Sequence, residues 1–418
     1  MSTDEHTYAR GAARAAAPAA WWRSRGWGIV GALSITETVS WGILYYAFAV
    51  FLIPMQRELG FSTAELTGAY SLALLVSAVA GIAVGRWLDR RSPRGLMTAG
   101  SVAGTALVLA WSQIDGLAAF YALWIALGVV MAIVLYEPAF TVLAKWFPDA
   151  DQRRRAMTAL TLVAALASFI FLPLSQALID AHGWRDALVI LAAVLGAITI
   201  PLHGLVLRPP PRRERITARR DVQPSVAARD ALRSAPFWLL SSAFFLGTFT
   251  GIAMTVHTIP FLLEHGYSAP FAAFAVGLIG FSQIPGRVLF ALIGSRLPRE
   301  LAVSAVFVLI AAGIAVLTGV DATAAVLAGL VLLGMGNGMA TLARATAIAD
   351  LYGGASYGTI NSVAAAGTTG ARAAGPVVAA VYAAAMGYGA LLWSLAGVAG
   401  VAALLAYRAE RQAAASIP

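Results

Sequence analysis

Cysteine is absent from the 418 residues, which removes disulfides, thiol catalysis and cysteine-held metal sites. Charge is scarce. Asp, Glu, Lys and Arg make up 12% of the chain, about half of the ~25% found in soluble domains, so an ordinary soluble domain is excluded. Lysine occurs once, at Lys145, and every other fixed positive charge is an arginine. There is no Gly-x-x-x-x-Gly-Lys-Ser/Thr loop and no His-Glu-x-x-His, which leaves direct ATP drive and zinc-dependent hydrolysis without support. Nothing calls for a cofactor or a metal, and the chain reads as a non-enzyme.

What the chain does have is apolar length. Hydrophobic residues account for 60% of it, gathered in runs of the ~20 residues a helix needs to cross about 30 Å of hydrocarbon. Twelve such spans are expected, at 27–55, 66–88, 95–112, 117–145, 155–180 and 185–207, then 236–264, 270–294, 301–319, 322–349, 357–385 and 388–407. Lipid leaves no unpaired backbone, so the spans must be helices. The fold class is therefore an all-α membrane protein with two six-helix bundles (27–207 and 236–407). A polar, Ala-rich tail (1–26) precedes them without a signal-peptide pattern. An Arg-rich linker (208–235) stiffened by Pro209-Pro210-Pro211 joins them, and a short tail (408–418) closes the chain.

The formal net charge of +9 invites a nucleic-acid partner, but the arginines fall between spans rather than on one folded face. They collect in alternate loops, which places those loops and both termini in the cytoplasm of a bacterial-type inner membrane. The expected partners are the bilayer, protons and a small molecule; a monomer is expected and no nucleic acid.

Charges within spans are costly and each needs a reason. Five qualify: Glu37 and Glu137 in the first half, Arg287, Arg344 and Arg372 in the second. Glu37 lies about 15 Å along its helix from Trp27 and Glu137 about 12 Å from Lys145, with Arg372 nearest the midplane. Acids in one bundle and arginines in the other can meet across a central cavity. Three positives against two negatives favour an anionic ligand, whose carboxylate suits the planar guanidinium fork. The acids are candidates for proton coupling. The competing interpretation is that the pairs only pin the bundles together, and Arg344, ahead of Asp350, competes as a deep loop anchor. Gln283, one turn from Arg287, and Asn337 are candidate polar contacts. The glycines around Asn337 also fit close helix packing. Tyr45 and Tyr46 fall mid-span; successive helical residues point about 100° apart, so one of them, not both, is expected to face a ligand. His257 reads as a buried or vestibule histidine.

The hairpin between the second and third spans, Gly85-x-x-x-Asp89-Arg90-x-Ser92-x-Arg94, resembles the loop 2–3 signature of the major facilitator superfamily. Ser92 and Gly95 stand where that signature has glycine and a second basic residue. The resemblance implies two six-helix bundles working by alternating access, with Gly85, Asp89, Arg90 and Arg94 as a gating latch between helices 2 and 11. Glu37-Thr38-Val39-Ser40-Trp41-Gly42 and Trp146-Phe147 followed by Arg154-Arg155-Ala156 resemble, with shifted spacing, signatures of the monocarboxylate porter and oxalate–formate antiporter-like group. That similarity implies a secondary transporter of a small organic anion. Arg287, with Arg372, would hold the carboxylate, and Glu37 or Glu137 would take a proton. The alternative is proton-driven efflux of lipophilic or cationic compounds. Helix 5 lacks the Gly-Pro motif of drug–proton antiporters, since Pro173 has no glycine neighbour.

Overall fold

The computed structural model describes residues 25–208, 226–294, 296–320 and 322–415. Most of the expected N-terminal tail and linker positions 209–225 lie outside these. All regular structure among the described residues is helical. The first half gives α1 (Arg25–Leu59), α2 (Thr63–Arg90), α3 (Pro93–Trp111) and α4 (Leu117–Trp146). A continuous apolar stretch, Ala150–Val206, then reverses at Gly183 (φ 80°, ψ 165°). That reversal divides it into α5 (150–182) and α6 (184–206). A backbone in this left-handed region favours glycine because a Cβ would clash there. The second half gives α7 (Ala235–Glu264), α8 (Ala269–Ile293), α9 (Arg299–Gly319), α10 (Thr323–Tyr352), α11 (Tyr357–Met386) and α12 (Tyr388–Ala415).

Among the described residues, nine helices are long and apolar enough to cross a membrane by length and composition alone. The Ala150–Val206 stretch crosses twice, and α3 and α11 complete the twelve. α11 falls short because it is built of Gly, Ala, Thr and Asn, and it packs against α2 and α7. A helix lined by protein on several sides has less need of bulky apolar residues.

Helix starts follow ordinary capping chemistry. Ser62 accepts from the Glu65 N–H at 3.2 Å while the Glu65 carboxylate accepts from the Ser62 N–H at 2.8 Å, closing both ends of a capping box. Ser234 and Ser268 cap α7 and α8, each followed by a proline in the first turn. Two helices are irregular inside. In α4, Leu135 leaves the helical region (φ −93°, ψ −166°) and a new segment begins at Tyr136. Pro138 sits in its first turn, where the missing N–H has no partner to lose. In α1, residues Trp41–Tyr46 form a π-turn, with the Ala47 N–H donating to the Gly42 carbonyl.

Helix pairing repeats between the halves. α1 packs on α5, α2 on α4 and α3 on α6; α7 packs on α11, α8 on α10 and α9 on α12. Adding six to each helix of the first set gives the second. Across the bundles α2 meets α11 and α5 meets α8, which are again equivalent pairs. The glycines at Gly334 and Gly338 let α10 approach α8: a Cβ on either would run into the backbone at Ile279 or Gln283. The first bundle is anchored by an aromatic core in which Trp111 and Trp124 lie 5.0 Å apart and Phe48 stands 5.0 Å from Trp124. With an even number of passes, the α2–α3 hairpin, the start of α1 and the end of α12 share one face, the arginine-rich face.

Candidate functional site

At the arginine-rich face, α2 is fastened to the start of α11. The Asp89 carboxylate accepts from the Gly358 and Thr359 N–H groups, both at 2.8 Å, and from the Thr359 hydroxyl at 2.6 Å. These N–H groups are the unpaired donors of a helix N-terminus, where a carboxylate is favoured. Lys145 donates to the Leu88 carbonyl and lies 3.8 Å from Asp89. Gly85 faces Gly358 so closely that a Cβ on Gly85 would overlap the Gly358 carbonyl. The two motif residues with small or acidic side chains thus touch α11. Arg90 and Arg94 are exposed.

Above this lies a buried polar knot. Arg344 of α10 donates to Glu137 of α4 at 2.7 Å and 3.4 Å and to the Asn361 amide oxygen of α11 at 2.8 Å. Asn361 in turn donates to Glu137. Glu137 and Arg344, expected at the proton and substrate sites, are committed to each other across the bundle interface. This is the pinning arrangement weighed for them from the sequence. Nearer the surface Arg153 of α5 pairs with Asp350 of α10 and donates to the Pro148 carbonyl at 2.8 Å. On the opposite face, Arg185 holds Glu58 at 2.8 Å and Asp115 at 2.6 Å, but all three belong to the first bundle. The arginine-rich face is therefore the tied one.

The midplane carries a different arrangement. Glu37 is fully buried and accepts from the Trp41 indole N–H at 3.1 Å, while its Oε1 has no partner among the described residues. The π-turn follows at once. Its i→i+5 bonding brings positions four and five residues apart towards one face. Trp41, Tyr45 and Tyr46 are accordingly neighbours: Trp41–Tyr45 centroids stand 4.8 Å apart and Tyr45–Tyr46 5.1 Å. The expectation that only one tyrosine faces a ligand assumed a regular α-helix; in the π-turn both tyrosines lie against the Trp41 ring and both are half-buried. Tyr70 of α2 and Tyr136 of α4 extend the group, 5.7 Å from Tyr45 and 4.9 Å from Trp41 respectively.

Two guanidiniums from the second bundle lie within electrostatic range of this aromatic group. Both Arg287 (α8) and Arg372 (α11) interact electrostatically with Tyr46 and Tyr136, and Arg372 also with Tyr70. Arg287 is buried; one nitrogen donates to the Thr161 carbonyl of α5 at 2.7 Å, and its Nε is unpaired among the described residues. Arg372 is half-buried and makes no hydrogen bond or ion pair with a described residue. Gln283 is half-buried one turn from Arg287. Asn337 is half-buried beside α7, where its amide fills the space left by Gly251. His257 lies deep between α7 and α11, bonded to the Pro376 carbonyl at 3.1 Å.

Several contributors escape a reading of the sequence. Asn361 has a signal, as the sole amide within the Ala/Gly-rich α11. Tyr136 stands next to Glu137, and Trp41 lies within the helix 1 signature. His203 is fully buried in α6, between the Ser101 hydroxyl at 2.7 Å and that of Thr36 at 3.0 Å. It ties three helices together beneath Glu37, and no spacing rule points to it.

A family model described as Major Facilitator Superfamily matches residues 33–363. The chain belongs to that superfamily. It is thus an integral, multi-pass membrane transporter, a class of carriers rather than enzymes. The oxalate:formate antiporter of Oxalobacter formigenes is 25% identical over 270 residues, 63% of this chain and 62% of that protein. Monocarboxylate transporter 13 of Bos taurus is 26% identical over 285 residues, 66% of this chain and 63% of that protein. The chain therefore spans less than two thirds of the length of these relatives. Among solved structures, the transporter FucP in its outward conformation superposes with a TM-score of 0.73 at 14% identity, covering 91% of this chain and 98% of that one. The human organic anion transporter MFSD10 gives 0.69 at 16% identity, covering 91% and 99%. At such identities the likeness carries the fold: twelve helices in two six-helix bundles.

Proposed function

We propose that this superfamily member is a secondary active transporter that carries a small organic monocarboxylate across the inner membrane by alternating access, coupled to protons or to exchange. The observation that carries the proposal is Arg372. A half-buried guanidinium at membrane depth with no anionic partner among the described residues is expensive unless something negative visits it. Arg287 adds a second cation with a buried, unpaired Nε, in range of the same tyrosines as Arg372, and a guanidinium fork suits the two oxygens of a carboxylate. Glu37, with an unpartnered buried oxygen beside this group, is where a coupled proton would ride. Similarity to an oxalate:formate antiporter and to monocarboxylate transporters supports the same class.

Asp89 on the α11 N-terminus and Gly85 against Gly358 would form the latch that closes the arginine-rich, cytoplasmic side. The knot of Glu137, Arg344 and Asn361 would act as a second bolt, so that this form of the transporter opens to the other side. The linker and both termini would then be cytoplasmic. Efflux of cations fits less well: Glu37 is sealed from the site surface at 0% exposure, and Glu137 is occupied by Arg344.

The test is ligand-dependent thermal stability of the purified protein. A ligand at a hundred times its Kd stabilises by about 2.7 kcal/mol, enough for a shift of several degrees. Small monocarboxylates should raise Tm, and Arg372→Ala should lose the response while keeping its unliganded Tm. A shift with lipophilic cations alone would overturn the assignment.

A further inference from the structure

We propose that the carboxylate carried at this site is borne on a flat aromatic ring, so that the substrate class is arylcarboxylates of benzoate type rather than short aliphatic acids or dicarboxylates. The inference rests on the anion site described above and adds what holds the rest of the molecule.

Five half-buried aromatic side chains, Trp41, Tyr45, Tyr46, Tyr70 and Tyr136, form one group, and Arg287 and Arg372 lie within electrostatic range of its tyrosines. Tyr45 is the hub of the group, with centroids 4.8 Å from Trp41, 5.1 Å from Tyr46 and 5.7 Å from Tyr70, and Tyr136 stands 4.9 Å from Trp41; the interplanar angles are 62°, 82°, 62° and 45°. These are tilted and edge-on geometries, with ring faces and edges alternating along the wall, and an inserted planar ring can meet both. The wall is assembled from three helices and depends on a backbone irregularity, the π-turn that brings Tyr45 and Tyr46 to the same side. A short acid such as acetate or oxalate would satisfy the guanidiniums but leave this wall uncovered. The charge count points the same way. Glu137 is matched by Arg344, which leaves Arg287 and Arg372 against the single carboxyl of Glu37, next to Trp41. One carboxylate suffices for the cation left over, and a second would lie against rings and a buried acid. The hydroxyls of Tyr46 and Tyr136, without partners among the described residues, can take a polar substituent on the ring.

The experiment measures Kd on the full-length purified protein for benzoate, cyclohexanecarboxylate, acetate and oxalate, by quenching of tryptophan fluorescence with calorimetry as a check. Benzoate should bind at least tenfold more tightly than acetate or oxalate, and several-fold more tightly than the equally large but non-planar cyclohexanecarboxylate. Trp41→Leu and Tyr136→Leu should each reduce benzoate affinity about tenfold and leave acetate affinity within twofold. Equal affinity for benzoate and cyclohexanecarboxylate, or tightest binding of oxalate, would overturn the aromatic assignment while the anion site stands. Failure of every carboxylate to bind folded protein would overturn both.

Discussion

Replacing Arg344 by methionine would strip Glu137 of its guanidinium while keeping a side chain of similar reach. Removing one partner of a buried ion pair costs about 3–5 kcal/mol, because the remaining charge is left unsolvated. Here Arg344 is 7% exposed and Glu137 27%, and Asn361 still donates to the carboxylate, so the cost to the closed arrangement should be smaller, about 2 kcal/mol. Opening the arginine-rich face returns Glu137 to water and recovers that cost. The equilibrium should therefore shift towards the open form by roughly thirtyfold. The cysteine-free chain makes the assay direct. Spin labels at Ser92→Cys on the α2–α3 hairpin and Ala355→Cys on the α10–α11 loop, both exposed, report the separation of the bundles by pulsed electron resonance. The parent should give one short distance, and Arg344→Met should add a longer one. The double variant Glu137→Gln with Arg344→Met, which leaves no orphan charge, should move back towards the parent. An unchanged distribution in folded Arg344→Met protein would refute the reasoning.

Gly85→Val should abolish uptake without unfolding the protein, because the branched side chain meets the Gly358 carbonyl; the spin-label pair should then stay apart. Asp89→Asn leaves the helix N-terminus with a neutral acceptor and should cost about 1 kcal/mol of closure, seen as a several-fold rise in the long-distance fraction of the same spin-label pair. Arg185→Ala should lower Tm by a few degrees, since it removes the links to Glu58, Asp115 and the Ser112 carbonyl; these are partly exposed and worth about 1 kcal/mol together, and binding affinity should not change. His203→Leu leaves the buried Ser101 hydroxyl unpaired, at a cost of about 1–3 kcal/mol readable in thermal denaturation.

Much of the fold was legible because lipid makes a blunt demand: each apolar run had to be a helix, and the observed helices fall on the expected spans. The resemblance to the loop 2–3 signature singled out Gly85 and Asp89, and both lie near the end of α2 in contact with Gly358 and Thr359 of α11, whereas Arg90 and Arg94 are exposed. The five intramembrane charges were found by their cost, but their partners were not. Nothing in the spacing within a helix tells that Glu137 faces Arg344, 207 residues away, instead of a ligand. The pairing of α2 with α11 and α5 with α8 decides that. The π-turn was invisible for a related reason. A residue's face is computed from the α-helical period, and one extra residue in a turn moves Tyr46 to a side the period assigns elsewhere. His203 went unnoticed because its value lies in two hydroxyls on other helices.

The single lysine has a practical consequence. Lys145 sits where α4 meets the end of α2, donating to Leu88 beside Asp89. Its amine is the one side-chain target in the chain for acylating reagents and amine-directed cross-linkers, and it is shielded while α2 and α11 are joined. Acylation at this native position would therefore proceed at a rate set by how often the joint parts. The chain thus carries a native chemical probe of that joint, and no engineered label is needed to read it.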